Sequence, residues 1–564
     1  MYLALLETAG NQRYIFATNK LRENVGASEL TYRAGTQWVL ESVDTVLKRN
    51  GHTPLALWDT EAQVFRDRLR QHGHRCAEIR QPVEVVVVTS GKAILLIQAE
   101  KIAQDIIREV TAHALREAPG LDLCGCYIEW KDSTPIGDAL RMVHHRYEVA
   151  HSGLPGPVMR FMRLPFFAEC ATSGLPANTL QHIEGQDNPP RRVSATVSSK
   201  RDVVKPARTR LDRVLRRVYP DFTFADNIDN LTGDWHAIIH ADGNGLGQLF
   251  LKFDEYINQN ALELNREYLS TYREFSIALE ECTEAAFMHA LHVIPEEAYR
   301  QETTVPLVPL VLGGDDLTVI CDGKYALNFA RAFLQAFERF TGEHTVIRAI
   351  AAQVSSEDTP YLSSCAGVAI IKPNFPFFTA YDLAEDLLHS AKIVKNEIVV
   401  PCSALDFHVL HDSSVVTLSS IRAHLQLQDA SASSSLYTRP YIISDLPPDD
   451  LERIWVERRT WGLLVDRAKK LRHEEDGRRQ LPTSQMHMLR AGLFDGRLES
   501  DALYAAMAHR YEKQGIRAFE GDAGSLFHRE PVPGDVQKVE YATGLLDAMD
   551  AADFLTHTAE GRPL

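Results

Sequence analysis

The chain has 564 residues, 45% hydrophobic and 24% charged, an ordinary globular composition with material for about three to five structural units. Its formal charge of −16 (60 Lys and Arg against 76 Asp and Glu) excludes a generic nucleic-acid coat, so a polyanion would have to meet a local basic patch. No apolar run approaches the ~20 residues of a membrane span, the N-terminus lacks a signal-peptide layout, and of eight cysteines only Cys124 and Cys126 lie close together; a cytoplasmic protein without a disulfide framework or membrane segment is expected.

In the first unit (1–152), Tyr2–Leu6 and Tyr14–Thr18 are apolar runs separated by Ala9-Gly10-Asn11-Gln12, which predicts a hairpin. A polar loop over Asn19–Glu29 and a helix from about Tyr32 to Lys48 follow. Val83–Val88 predicts a buried strand that turns at Thr89-Ser90-Gly91-Lys92 into Ala93–Gln98. Helix Glu100–Glu117, strand Leu121–Trp130 and helix Ile136–Ala150 complete the unit. The segment 153–230 is a loop-rich linker, ending in Lys200–Arg217 with eight Lys and Arg against Asp202 and Asp212. Such a stretch is either a solvated helix face or a surface for RNA or phosphate.

The third unit (231–420) starts with strand His236–His240 and the loop Ala241-Asp242-Gly243-Asn244-Gly245-Leu246-Gly247. Glu255–Val293 is long, Pro-free and largely helical in pattern. Val308–Ile320 then reads as two apolar strands folded back through Gly313-Gly314-Asp315-Asp316. Helix Tyr325–Phe340, strand Cys365–Ile371 and helix Ala380–Lys395 complete a βαββαβ order, that of a ferredoxin-like palm. Val85–Ile97 repeats the pattern of Val308–Ile320: aligning Gly91 with Gly314 puts Lys92 and Ala93 where Asp315 and Asp316 stand, a diverged copy without acids. Pro401 to about Ser419 reads as strands and turns. In the last unit (421–564), Asp449–Leu471, Thr483–Ala491, Asp501–Gln514 and Asp535–Asp553 predict a helical bundle. The fold class is therefore α+β: two palms and a C-terminal helical domain.

Most Gly-Asp tetrapeptides are solvated turns. Two adjacent carboxylates at a tight tip repel, however, unless screened or bridged by a cation, and a second carboxylate loop lies upstream. If His236–Asp242 runs beside Leu310–Asp316, then Asp242, Asp315 and Asp316 could hold two Mg²⁺ or Mn²⁺ ions about 3.5–4 Å apart against a triphosphate. Backbone N–H groups of Gly243, Asn244, Gly245 and Gly247 are suited to cradle phosphates, and Lys392 or Lys395 to reach phosphate oxygens. For the lysines, complementing a helix C-terminus is the plain alternative.

Asp242–Gly247, Gly313–Asp316 and Ala391-Lys392 resemble the cyclase palm shared by GGDEF-type diguanylate cyclases and the CRISPR polymerase, the large subunit of type III CRISPR effector complexes. The paired palms, and the local matches Ile15–Glu23 and Cys170–Ala177, favour the CRISPR polymerase. The resemblance implies that Asp242, Asp315 and Asp316 hold two metals while a 3′- or 2′-hydroxyl of one ATP attacks the α-phosphate of another, giving a cyclic oligoadenylate. Gly313 and Gly314 would let base and ribose approach the tip. It also implies guide RNA and small CRISPR subunits as partners and target RNA as activator. Many relatives begin with a histidine–aspartate nuclease domain; His411-Asp412 is the only such dipeptide here and reads as incidental, so DNA cleavage is not expected. Cys124, Cys126 and Cys170 make no CxxC set, which leaves zinc doubtful. The rival readings are a nucleotide-binding scaffold without turnover, a GTP-using cyclic dinucleotide synthase, and a free-standing or self-associating signalling enzyme.

Overall fold

The structure, a computed structural model, describes residues 1–79, 81–182, 189–225, 228, 231, 233–257, 264–295, 303–354, 359–411, 417–428, 433–446, 454–475, 478–532 and 535–555. Its architecture is mixed α and β, built on two palm-like sheets. The first contains β1 (Tyr2–Ala9), β2 (Val83–Thr89), β3 (Lys92–Ile97) and β4 (Asp122–Glu129) in the antiparallel order β2-β3-β1-β4. Helices α1 (Asn11–Ile15), α2 (Leu21–Gly35), α3 (Gln37–Arg49), α4 (Ala62–Glu78), α5 (Glu100–Glu117) and α6 (Ile136–Ser152) surround it. The valines of β2 and the apolar run of β3 are buried, as their continuous hydrophobicity predicts.

Two expectations for this unit are corrected. Tyr14–Thr18 does not pair with Tyr2–Leu6: β1 is central, with β3 on one edge and β4 on the other, so no edge is free for a hairpin partner. Tyr14 and Ile15 instead end α1, and Phe16 stacks on Tyr381 with ring centroids 3.8 Å apart. The polar stretch Asn19–Glu29 is not a loop but most of α2, and the helix expected from Tyr32 is a new one that starts at Gln37. Glu23 and Glu29, the residues that made the stretch look solvated, are buried against arginines of the linker.

That pairing also settles the basic segment. In α7 (Ala195–Asp202) and α8 (Val204–Arg216), Arg201 bonds Glu23 at 2.6 Å, Arg210 bonds Glu29 at 2.8 Å and stacks on Tyr32, and Arg213 lies 3.3 Å from Glu61. Lys200 is buried, donates to the Tyr14 carbonyl at 2.5 Å and has its pKa lowered to about 8 by burial. Lys200, Arg201, Arg210 and Arg213 thus fasten the linker to the first unit, while Lys205, Arg216 and Arg217 stay exposed. A short hairpin, β5 (Thr179–Gln181) with β6 (Arg191–Val193), precedes these helices.

Beyond β7 (Thr223–Phe224), the second palm comprises β8 (His236–Gly243), α9 (Leu246–Leu251), α10 (Leu264–Ala290), β9 (Thr304–Val305), β10 (Leu307–Gly313), β11 (Asp316–Asp322), α11 (Gly323–Glu343), α12 (Thr345–Val354), β12 (Ser364–Ile371), α13 (Phe377–Ala391) and β13 (Ala404–Val409). Its sheet runs β10-β11-β8-β12-β13 and ends on the strand Tyr441–Ile442, repeating the first palm's order and extending it at one edge. Phe329, Phe333 and Phe337 of α11 fill the core on one face; α13 packs so closely that a Cβ on Gly367 would come within 2.0 Å of the Ala384 carbonyl oxygen. The first strand of each hairpin carries a bulge, between Val85 and Val87 and between Pro309 and Val311, which supports the internal repeat.

The last unit is helical over Trp461–Arg472, Thr483–Asp495, Arg497–Ala508 and Leu545–Ala552, and it also holds a small sheet. Asp535–Asp553 is not one helix: Asp535–Ala542 is a strand between His528–Val532 and Ser433–Ser435, and only its second half is helical. Lys538 and Glu540 alternate with Val539 and Tyr541, a period of 2 that a helix reading overlooked. Part of the stretch expected as helix Asp449–Leu471 lies outside the described residues, as does Asp412. Among the described residues no helix is long and apolar enough to cross a membrane.

Candidate active site between the two palms

The register of the second palm brings its acids together. Gly313 pairs with Asp316, so Gly314-Asp315 forms a two-residue tip, with Gly314 at φ +64°. Leu317 pairs with Ala241, and one step further along Asp316 comes beside Asp242. One carboxylate oxygen from each of Asp242, Asp315 and Asp316 lies within 4.8 Å of the others.

Their electrostatics differ. Burial, then the neighbouring Asp242, pushes the Asp315 carboxyl up to about 7; burial with both neighbours pushes Asp316 well above the carboxylate range. Burial acts upward on Asp242 too, but the hydrogen bond from Asp316 and the Lys392 ammonium outweigh it and hold Asp242 low. Lys392 Nζ donates to Asp242 Oδ2 and, at 3.3 Å, to the Gly243 carbonyl. Three hard oxygen donors close together, two of them raised by burial and by their acidic neighbours, are a donor set that fits a divalent cation.

The other expected residues divide. A Cβ on Gly243 would lie 2.8 Å from Asp315 Oδ2 and 2.4 Å from Leu246 Cδ1, so this glycine makes room for the Asp315 carboxylate. Gly245, at φ +71°, turns the chain into α9, and Gly247 reaches the cleft described below. Asn244 turns away: its amide donates to Ser363 Oγ at 3.0 Å and to the Cys402 carbonyl at 3.1 Å, bracing the loop. Lys392 belongs to the acidic cluster, whereas Lys395 is exposed on the turn that follows α13. Gly313 faces the first palm, where a Cβ would lie 3.6 Å from that of Ser90. His411 sits 3.9 Å from Asp550, among the C-terminal helices.

A cleft of about 470 Å³ separates the palms, lined by Gly313, Gly314, Asp315 and Asp316 on one side and by Ser90, Gly91, Lys92 and Glu7 on the other. The strand registers correct the alignment made on the glycines. In the first hairpin Thr89 pairs with Lys92 and the tip is Ser90-Gly91, so Lys92 corresponds to Asp316 and Gly91 to Asp315. Across the sheet Glu7 pairs with Lys92 and Cys124, as Asp242 stands beside Asp316 and pairs with Cys365. Glu7 therefore occupies the place of Asp242. The first palm has exchanged a pair of acids for an ion pair, Lys92 Nζ to Glu7 at 3.3 Å. His144 completes it, taking a hydrogen bond from Lys92 on Nε2 at 2.9 Å while its Nδ1 donates to the Leu140 carbonyl at 2.7 Å.

Glu7 and His144 were missed from sequence. For Glu7 a signal existed: it ends an apolar strand three residues before Gly10, as Asp242 does before Gly245, and both glycines open a short helix at positive φ. For His144 none did, since only packing brings α6 beside the tip. A further chain of contacts joins the palms beneath the site: Phe16 on Tyr381, the Tyr381 hydroxyl 3.5 Å from His240 Nε2, and His240 Nδ1 2.9 Å from Thr318 Oγ1.

Among known proteins, residues 235–399 match the family model described as Cas10/Cmr2, second palm domain. No curated protein sequence matches the chain. Solved structures resemble it at low identity. One is a Csm1–Csm4 cassette in complex with cA4 (12% identity, TM-score 0.43, 98% of this chain and 70% of that one). Another is a Csm1–Csm4 cassette in complex with AMPPNP (12%, 0.46, 92% and 64%). A third is a type III-B Cmr-beta complex in the apo state (9%, 0.47, 97% and 81%). By the family match, which spans β8, both strands of the acidic hairpin and Lys392, this chain carries a second palm domain of the Cas10/Cmr2 family.

Proposed function

We propose that this protein is a metal-dependent nucleotidyltransferase that converts ATP to cyclic oligoadenylate as the large subunit of a type III CRISPR-like effector. The observation that carries the reading is the convergence of Asp242, Asp315 and Asp316, in a segment that matches the Cas10/Cmr2 palm, at the mouth of a cleft shared with a second palm. These three carboxylates would hold Mg²⁺ or Mn²⁺. Bound there, a divalent cation supplies charge neutralisation for the triphosphate and a lowered pKa for the attacking hydroxyl.

The chain's own residues account for the rest. The hydrogen bond from Asp316 and the Lys392 ammonium hold the Asp242 carboxyl low, which favours its deprotonated, metal-ligating form. Gly314, at positive φ, and Gly313 present a tip without side chains, along which a ribose can approach the acids. Across the cleft Lys92 is a fixed cation at the position where the other palm has Asp316; it suits the phosphates of a second nucleotide, which needs no metal on that side. With two nucleotides facing each other, the ribose hydroxyl of one forms an O–P bond to the α-phosphorus of the other. The α–β phosphoanhydride bond breaks, pyrophosphate leaves, and the hydroxyl proton passes to solvent. Guide RNA, small effector subunits and activation by target RNA belong to the same proposal.

Incubation with labelled nucleoside triphosphates and Mg²⁺ or Mn²⁺ tests it. Phosphatase-resistant product from ATP, lost in Asp315→Ala/Asp316→Ala, is the expected result; undiminished product in that double variant refutes it. Strict dependence on GTP would replace ATP, and nucleotide-dependent stabilisation without product would leave a scaffold. Pull-down from the native host with sequencing of bound RNA decides between an RNA-guided complex and a free-standing enzyme.

A further inference from the structure

Helix α10 lies behind the acidic hairpin, and one of its side chains reaches the tip. Thr283 is fully buried, and its hydroxyl lies 2.7 Å from the Gly314 carbonyl, closer than the 2.9 Å to Leu279 within its own helix. The carbonyl it holds belongs to the peptide joining Gly314 to Asp315. That peptide is planar, so fixing its oxygen fixes the direction in which Asp315 leaves the tip. Gly314, lacking a Cβ, offers little resistance of its own to rotation.

The helix that carries Thr283 is tied to the first palm. Its next residue, Glu284, accepts from both terminal nitrogens of Arg66 on α4, at 2.6 and 3.0 Å. Arg70 on α4 bonds Glu281, about one turn before Glu284, and Glu274, nearly three turns before it. From α10 itself, Arg273 donates to Glu84 at 2.7 Å and to the Val85 carbonyl at 3.0 Å, both on β2. These ion pairs hold α10 in one register against the first palm, and Thr283 transmits that register to the acidic tip.

We infer that Thr283 is a positioning residue: its hydroxyl sets the orientation of the Gly314–Asp315 peptide relative to the first palm, and so the spacing of the three carboxylates. The inference rests on the metal-site reading above. A buried threonine bonded only for stability would affect folding and leave metal affinity alone.

The test uses the full chain and three substitutions. Thr283→Val keeps the shape and removes the donor; Thr283→Ser keeps the donor. Mn²⁺ binding is measured without nucleotide by electron paramagnetic resonance, alongside kcat, KM for ATP and thermal unfolding. In Thr283→Val, Mn²⁺ affinity and kcat should each fall roughly tenfold, the equivalent of one hydrogen bond of about 1.4 kcal/mol, with KM within about twofold of the parent. Thr283→Ser should behave as the parent. If Thr283→Val does not fold, Thr283→Ala, smaller but equally without a donor, carries the same comparison. Unchanged Mn²⁺ affinity in the folded donor-less variant, or a Thr283→Ser as defective as Thr283→Val, overturns the inference. A parent protein that binds Mn²⁺ but makes no product rejects the cyclase and leaves the Mn²⁺ comparison to decide this point; one that binds no Mn²⁺ rejects both.

Discussion

Lys392 is the cation nearest the acidic cluster, and replacing it with methionine should move metal affinity and turnover in opposite directions. Its ammonium bonds Asp242 and the Gly243 carbonyl, with side-chain exposures of 22% for Lys392 and 31% for Asp242. A charge-assisted hydrogen bond contributes about 1.5–3 kcal/mol, and partial exposure to solvent reduces this to about 1–2 kcal/mol. A metal ion must displace that bond to take the Asp242 oxygen. Removing the ammonium therefore removes a competitor, and Mn²⁺ should bind Lys392→Met some 5- to 30-fold more tightly, the factor that corresponds to about 1–2 kcal/mol. The same variant, free of metal, should lose about 1–2 kcal/mol of stability, because the three carboxylates then face one another without a neighbouring cation. Turnover should nevertheless fall, by about ten- to a hundredfold, if the displaced ammonium goes on to meet a phosphate of the bound nucleotide. Isothermal titration with Mn²⁺, thermal unfolding with and without it, and the labelled-ATP assay give the three readouts. Mn²⁺ affinity and metal-free stability both equal to the parent's would refute the reasoning, for Lys392 would then not be restraining Asp242.

Gly243→Ala should fold yet lose roughly tenfold or more in product formation, since its Cβ must displace Asp315 Oδ2 from 2.8 Å; Gly462→Ala, in the C-terminal helix Trp461–Arg472 and with nothing within 4 Å of its Cβ, is the control in the same assay. Arg210→Ala should cost about 1.5–3 kcal/mol in urea unfolding, because it removes one of the two guanidinium partners of the buried Glu29 and leaves only Arg33, at 2.7 Å, while RNA affinity in a filter assay stays within about twofold. Glu338 is a pH test: burial raises its carboxyl to about 7 although Ser403 and Ser444 hydrogen-bond it. A folded-state pKa above the unfolded value means that the folded protein holds the extra proton. Its stabilising share is complete below about pH 4.3 and lost as pH rises through 7. The melting temperature of Glu338→Gln relative to the parent should therefore climb between pH 5 and pH 8, and a flat difference would refute the assignment.

What the amino-acid order determined by itself was whatever depends on neighbours along the chain. The alternation and apolar runs around Gly313–Asp316, the acid-then-glycine loop at Asp242 and the helix at Glu100–Glu117 are local patterns, and all three lie in the structure where they were expected. Tertiary structure decided the fate of polar residues, because a charge reads the same from sequence whether water or an arginine faces it. Glu23 and Glu29 suggested a loop and became the buried side of α2; Lys200 and Arg210 suggested a nucleic-acid surface and became fasteners. It also decided register, which a glycine-to-glycine alignment misjudged by one residue. Since a strand's side chains alternate at every step, that one residue separates Lys92 opposite Asp315 from Lys92 in the place of Asp316, paired with Glu7. Contacts between distant elements, such as Thr283 on Gly314 within the second palm or Phe16 on Tyr381 across the two, join residues 31 and 365 positions apart, and no local pattern encodes them.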